Sequence, residues 1–285
     1  VKKILGVILA VFLMLIAALS YFIITEISFW SLNLAYNSTG NPVLAWILDP
    51  NEAERLYLIV YPLSISIYLI IYNMFFRADK NKLSADINWD LKTGVISSVI
   101  LGIAFGGIST LWVEFLAHSP FANIDFIKTS LAYLKHSSTQ TSTVSFITGI
   151  LVAGILGPIT EELLYRGIIF RLLEKYSNKW TALIVSSLMF GFVHLSFAQS
   201  VYAAIMGLIA GIVYMKTRKL AWTILIHITI NTISTFGLSS NIIWVAFTVL
   251  MLIPLAIIIY RLLNTKKAIS CDENYIETKT VNNLQ

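Results

Sequence analysis

Cysteine is almost missing from this chain. Cys271 stands alone, which excludes a disulfide framework or a cysteine-based metal site within one chain. Charge is scarce as well. Asp, Glu, Lys and Arg make up 12% of the 285 residues, where a soluble domain carries roughly a quarter. The compact zinc-protease pattern H-E-x-x-H is absent. What fills the space is apolar: 57% of residues are hydrophobic and the mean hydropathy is +0.79. These values exclude an ordinary soluble domain. The net charge of +5 is no nucleic-acid signal, because the basic residues sit at the ends of apolar runs.

The runs fall roughly at 4–25, 55–76, 93–117, 144–170, 180–197, 199–215, 220–238 and 240–263. A crossing needs ~20 residues, so the expectation is an all-α integral membrane protein with a bundle of about eight transmembrane helices. It forms a single domain over 1–263, followed by a polar cytoplasmic tail, 264–285. Lys2 and Lys3 before the first run resemble a signal-peptide start, but the run is long for a signal core, which favours an uncleaved helix. Residues 26–54, aromatic and interrupted by Gly40 and Pro42, are expected to lie along the interface. Gly102–Gly106 and Gly207–Gly211 are small-xxx-small pairs that permit close helix contact.

Lys2/Lys3, Arg77/Lys80/Lys82, Arg171/Lys175/Lys179, Lys216/Arg218/Lys219 and Arg261/Lys266/Lys267 alternate so that they fall on one side. Only Arg55, Lys128 and Lys135 oppose them. The positive-inside rule then puts both termini in the cytoplasm and the protein in the plasma membrane as a multi-pass chain.

Ionisable residues inside apolar spans are costly, so they mark function. All the informative ones lie in the core 144–238. Glu161-Glu162 follows Gly157-Pro158, and Pro158 deprives the carbonyl of Gly154 of its helical partner, which predicts a kink. Glu162 and Arg166 are four apart and can pair, while Glu161 points about 100° away. Two adjacent carboxylates in a low dielectric do not both ionise cheaply. With Arg166 holding one, the other becomes a usable general base. The bland alternative is a charged cytoplasmic helix end. His194 lies in the run 180–197, and His227 and Asn231 share a helical face. Each alone could be an interhelical hydrogen-bond residue. Glu114, among Trp112, Phe115 and His118, reads as interfacial.

Position ties them together. The turn between the fourth and fifth runs is expected near Tyr176–Lys179, and Glu161 and His194 are equally far from its centre. In an antiparallel hairpin they stand at one height. His227, eight residues after Lys219, lies about 12 Å along its helix at ~1.5 Å per residue, at a similar depth.

The motifs E-E-x-x-x-R, F-x-x-x-H and H-x-x-x-N, in this order over about 155–235, resemble the CPBP intramembrane proteases (CAAX prenyl proteases and bacteriocin-processing, or Abi, proteins). The resemblance implies an endopeptidase in which Glu161 activates water, with His194 orienting it. It implies that His227 and Asn231 stabilise the oxyanion and that Glu162 and Arg166 support the first glutamate. The cavity would lie between helices of the C-terminal half and open to the cytoplasm. The partners are then the lipid bilayer and a peptide or protein substrate near the cytoplasmic face. A metal-free mechanism is preferred, with zinc on Glu161, His194 and His227 as the alternative. Two other functions remain at this stage. One is a catalytically silent immunity or scaffold protein of the same fold. The other is a proton-coupled transporter, which should show broken helices in both halves.

Overall fold

A computed structural model describes residues 2–76, 85–137, 143–235 and 242–265. Arg77, Lys80, Lys82, the expected turn 238–241, Lys266, Lys267, Cys271 and the tail beyond Thr265 lie outside the described residues. Among the described residues every regular element is helical: α1 (Lys2–Thr39), α2 (Pro42–Ile47), α3 (Tyr57–Phe76), α4 (Leu91–His118), α5 (Asp125–Ser137) and α6 (Thr143–Gly149) come first, then α7 (Gly157–Glu162), α8 (Arg171–Tyr176), α9 (Lys179–Phe192), α10 (Phe197–Thr217), α11 (Leu220–Thr235) and α12 (Ile242–Asn264). The stretch Thr143–Tyr176 is helical throughout, with π-helical turns joining α6, α7 and α8. The chain is an all-α, multi-pass membrane protein.

Among the described residues six stretches are long and apolar enough to cross a bilayer, and α9 and α11 are shorter apolar helices. The expected count of about eight is therefore not reached on length alone. The first span also differs from expectation. Helix continues past Thr25 to Thr39, and the candidate span runs Met14–Thr39. Nothing in the sequence breaks it before Gly40, which takes φ +61, a conformation an L side chain rarely adopts. Asn41 then caps α2 by accepting from the backbone N–H of Val43, with Pro42 at its first turn. Most of the supposed interfacial segment is thus the end of α1 plus the short α2.

Both glycine stripes lie at helix contacts. A Cβ on Gly102 would meet Thr229 Cβ at 2.5 Å and the carbonyl of Ile226 at 2.9 Å, so α4 and α11 touch backbone to backbone there. A Cβ on Gly207 would meet Ser187 Cα at 3.1 Å and one on Gly211 would run into the Leu183 side chain, so both glycines join α10 to α9.

The basic ends do gather. Lys216 reaches Asp86 at 3.0 Å and the carbonyl of Thr265 at 3.2 Å. Arg218 holds Glu174 through two bonds of 2.7 Å, and Lys219 donates to the carbonyl of Trp89 at 3.0 Å. The ends of α8, α10 and α12 and the start of α4 form one end of the bundle. The opposite end carries α5, the 193–199 turn and Glu52, which accepts from the hydroxyl of Ser145. Glu114 lies near that end of α4, 3.2 Å from His118, and both are solvent-exposed in part, as an interfacial position requires.

Candidate active site

The first glutamate motif sits between two widened turns. Ile150–Leu156 and Leu163–Phe170 are π-helical, flanking the regular turn Gly157–Glu162. Pro158 has no N–H to give the Gly154 carbonyl, so the turn before it opens instead of closing in α-register. The Thr160 hydroxyl covers the carbonyl of Leu156 at 2.8 Å. The expected kink is thus a π-bulge, of the kind often found at functional sites.

The two carboxylates diverge. Glu162 is fully buried, and Arg166, 1% exposed, donates to its Oε1 at 2.7 Å. Arg166 also donates to the carbonyl of Gly207 at 3.0 Å and lies 4.8 Å over the Phe190 ring. The pair foreseen from the i,i+4 spacing is present. Glu161 keeps its side chain 25% exposed and faces a cavity of about 940 Å3. That volume is at the top of the ~300–1,000 Å3 range of ligand pockets.

His227, 4% exposed on α11, joins the two glutamates. Its Nδ1 is 3.2 Å from Glu162 Oε1 and its Nε2 is 3.6 Å from Glu161 Oε2. An ionised carboxylate paired with Arg166 only accepts, so Nδ1 carries a proton and Nε2 is the ring position that faces Glu161. The Glu162–Arg166 pair therefore reaches Glu161 through His227.

His194 lines the cavity with Glu161, as the hairpin symmetry implied, and the turn falls at Ser177–Asn178. It is not deep inside a span, however. α9 ends at Phe192, and His194 lies in the turn before Leu195, which takes φ +52. That left-handed residue stops the helix and aims the ring at the cavity. The His194 Nδ1 bonds the carbonyl of Phe190 at 2.8 Å, so in the neutral ring Nε2 bears the lone pair.

Asn231 makes contact with the backbone. Its amide donates to the carbonyl of Ala153, on the π-helical turn, at 2.8 Å. Neither His227 nor Asn231 is among the cavity-lining residues. They stand behind Glu161, one bound to the carboxylates and the other to the opened backbone.

Among the described residues no group of three or more His, Cys, Asp or Glu side chains is arranged to hold a metal ion.

Two contributions have no role assigned from the sequence, although Phe190 belongs to the F-x-x-x-H motif. Phe190 is the hub: its ring lies 5.1 Å from those of Tyr165 and His194 and 5.5 Å from His227, besides the Arg166 contact. Its place one helical turn before His194 was the available signal. The cavity also borrows Tyr21 from α1, Tyr57 from α3 and Phe126 from α5. No local pattern flags these, because Glu161 and His194 lie at least 35 residues away from each of them.

Residues 143–233 match the family described as Type II CAAX prenyl endopeptidase Rce1-like. A Bacillus subtilis (strain 168) protein named "Putative membrane peptidase YdiL" is 35% identical over 83 residues, 29% of this chain and 34% of its own length. The Lactococcus lactis subsp. lactis (strain IL1403) protein "UPF0177 protein YbdJ" is also 35% identical over 83 residues, 35% of its length. "UPF0177 protein YxdF" from the same organism is 28% identical over 149 residues, half of this chain and 76% of its own length. The chain thus spans about a third of the length of the first two relatives. No solved structure matches it.

Proposed function

We propose that the protein, whose motif-bearing core 143–233 matches the Rce1-like family, is an intramembrane endopeptidase using a glutamate-activated water. The observation that carries this reading is that Glu161 and His194 open on one cavity while His227 ties Glu161 to the buried Glu162–Arg166 pair.

The residues have the chemistry for it. Glu161 takes a proton from water, and the hydroxide adds to the scissile carbonyl carbon. His194 Nε2, an acceptor in the neutral ring, orients that water. The carbonyl π electrons move to oxygen, and the oxyanion is met by the Asn231 amide of α11, while His227 holds Glu161 in place. The oxyanion's electron pair re-forms the carbonyl as the C–N bond breaks, and the proton held by Glu161 passes to the leaving nitrogen, giving a new carboxylic acid and a new amine and returning Glu161 to its carboxylate. Asn231 must exchange its bond to Ala153 for one to the oxyanion. No metal enters this scheme.

The test uses the purified chain in lipid vesicles with a library of fluorogenic peptides. Cleavage by the wild type, resistance to chelators, and loss on Glu161→Gln are the expected results. Full cleavage by Glu161→Gln would sink the reading, and inhibition by chelators would return the zinc alternative.

A further inference from the structure

The cavity lies toward one end of the bundle, and the charges differ between the two ends. Its wall is built from α5 (Phe126, Thr129, Tyr133), the 193–199 turn, Tyr21 and Tyr57. That is the end carrying Glu52, Glu114 and Asp125. The turn is fastened to α5: the Ser130 and Ser196 hydroxyls bond at 2.7 Å, and the Ala198 N–H donates to Ser130 at 2.8 Å. Trp112 of α4 donates to the carbonyl of Ala198 at 3.0 Å.

Toward the other end the way is closed. Arg166, Ile169 and Phe170 are fully buried on the turns that follow Glu161, and Tyr214 packs edge-on against Phe170 at 5.4 Å. Beyond this plug come Arg171, Lys175, Lys179, Lys216, Arg218, Lys219 and Arg261. The open end has Arg55, Lys128 and Lys135 among its acids, and Arg55 is held by Asp49 at 3.5 Å and Glu52 at 3.6 Å. The excess of Lys and Arg in short connections marks the cytoplasmic side. The expected cytoplasmic termini and a cytoplasmic opening are therefore incompatible in this fold, and the charge count decides between them.

Resting on the protease reading above, we infer that the site takes its substrate from the non-cytoplasmic face: a peptide segment, apolar around the scissile bond, that emerges from the bilayer on the side opposite the basic end. The apolar and aromatic wall suits such a segment in extended form. Cytosolic proteins modified at their C-terminus would meet only the plugged end.

The experiment measures sidedness and catalysis separately. The full chain, with Cys271→Ser, carries either Thr129→Cys or Lys175→Cys in a bacterial host. A membrane-impermeant maleimide should label Thr129→Cys in intact cells, and Lys175→Cys only after permeabilisation. Wild-type chain in right-side-out vesicles should cut an externally added fluorogenic apolar peptide at least tenfold faster than in inverted vesicles, with Glu161→Gln silent in both. Faster cutting in inverted vesicles, or labelling of Lys175→Cys in intact cells, overturns the inference while leaving the protease reading in place. Cleavage that survives Glu161→Gln, or none from either side, overturns the protease reading itself.

Discussion

Arg166 is the side chain whose removal should be felt most. It is 1% exposed, bonds the fully buried Glu162 at 2.7 Å, covers the carbonyl of Gly207 at 3.0 Å and stacks on Phe190 at 4.8 Å. Arg166→Met keeps much of the volume and deletes all three interactions. Breaking one side of a buried ion pair costs about 3–5 kcal/mol, because the remaining charge is left uncompensated. A desolvated cation–π contact adds up to ~2 kcal/mol, though the terms share one guanidinium and do not sum. About 4 kcal/mol is the working figure, or on the order of 10 °C in unfolding temperature at roughly 2–4 °C per kcal/mol. Glu162→Gln combined with Arg166→Met leaves no buried charge and keeps an acceptor for His227. It should be about 1–3 kcal/mol more stable than Arg166→Met alone, a coupling of the size neighbouring residues show. Thermal unfolding in detergent at one fixed scan rate measures both. A loss below ~1 kcal/mol for Arg166→Met, or strictly additive costs in the double variant, would refute the argument.

Gly102→Ala should destabilise by about 1–3 kcal/mol, since its Cβ would sit 2.5 Å from Thr229 Cβ and 2.9 Å from the Ile226 carbonyl. Because α11 carries His227, peptide cleavage should fall with it, and unfolding and turnover are measured on the same preparation. Asn231→Ala should lower turnover by about 10²–10³ if the amide meets the oxyanion, with little change in KM; a pure KM effect would remove it from that role. Asp90 caps α4, and its carboxyl is held low by the hydrogen bonds from Thr93, side chain first and then backbone. A depressed folded pKa gives stability that is present above the ordinary carboxylate range near ~3.9 and lost as pH falls through the lower folded value. Unfolding midpoints between pH 6 and 2.5 should show this loss, and Asp90→Asn, which keeps the cap, should flatten it.

The spans were legible because a bilayer leaves few alternatives: long apolar runs become helices. Their ends were less so. α1 ran on to Thr39 because aromatic, weakly polar residues do not stop a helix, whereas Gly40 and Pro42 do. Glu162–Arg166 was legible from spacing alone, and the level placement of Glu161 and His194 followed from the hairpin turn. The role of His227 was not, since which carboxylate it would touch depends on how far the π-turns rotate α7 against α11. The cavity mouth was not legible either, because α5 and Tyr21 reach it through contacts distant in the chain.

The π-turns explain why these pieces fit together. In a regular helix Glu161 and Glu162 would present themselves along a straight rod, and Pro158 would leave the Gly154 carbonyl bare. Opening the helix before and after Gly157–Glu162 gives the motif its own rotation. Glu162 can then turn inward to Arg166 and His227 while Glu161 stays on the cavity wall. The first widened turn also presents the carbonyl of Ala153 to Asn231, so the backbone that yields to Pro158 anchors the amide beside the site. Replacing Pro158 with Ala restores the missing N–H and should draw the helix back toward α-register. It should leave the fold intact, since that substitution adds helix propensity, but it should misplace Glu161 relative to His227. Retained stability with turnover reduced at least tenfold is the expected pattern, and unchanged turnover would show that the π-turn has no part in placing the carboxylate.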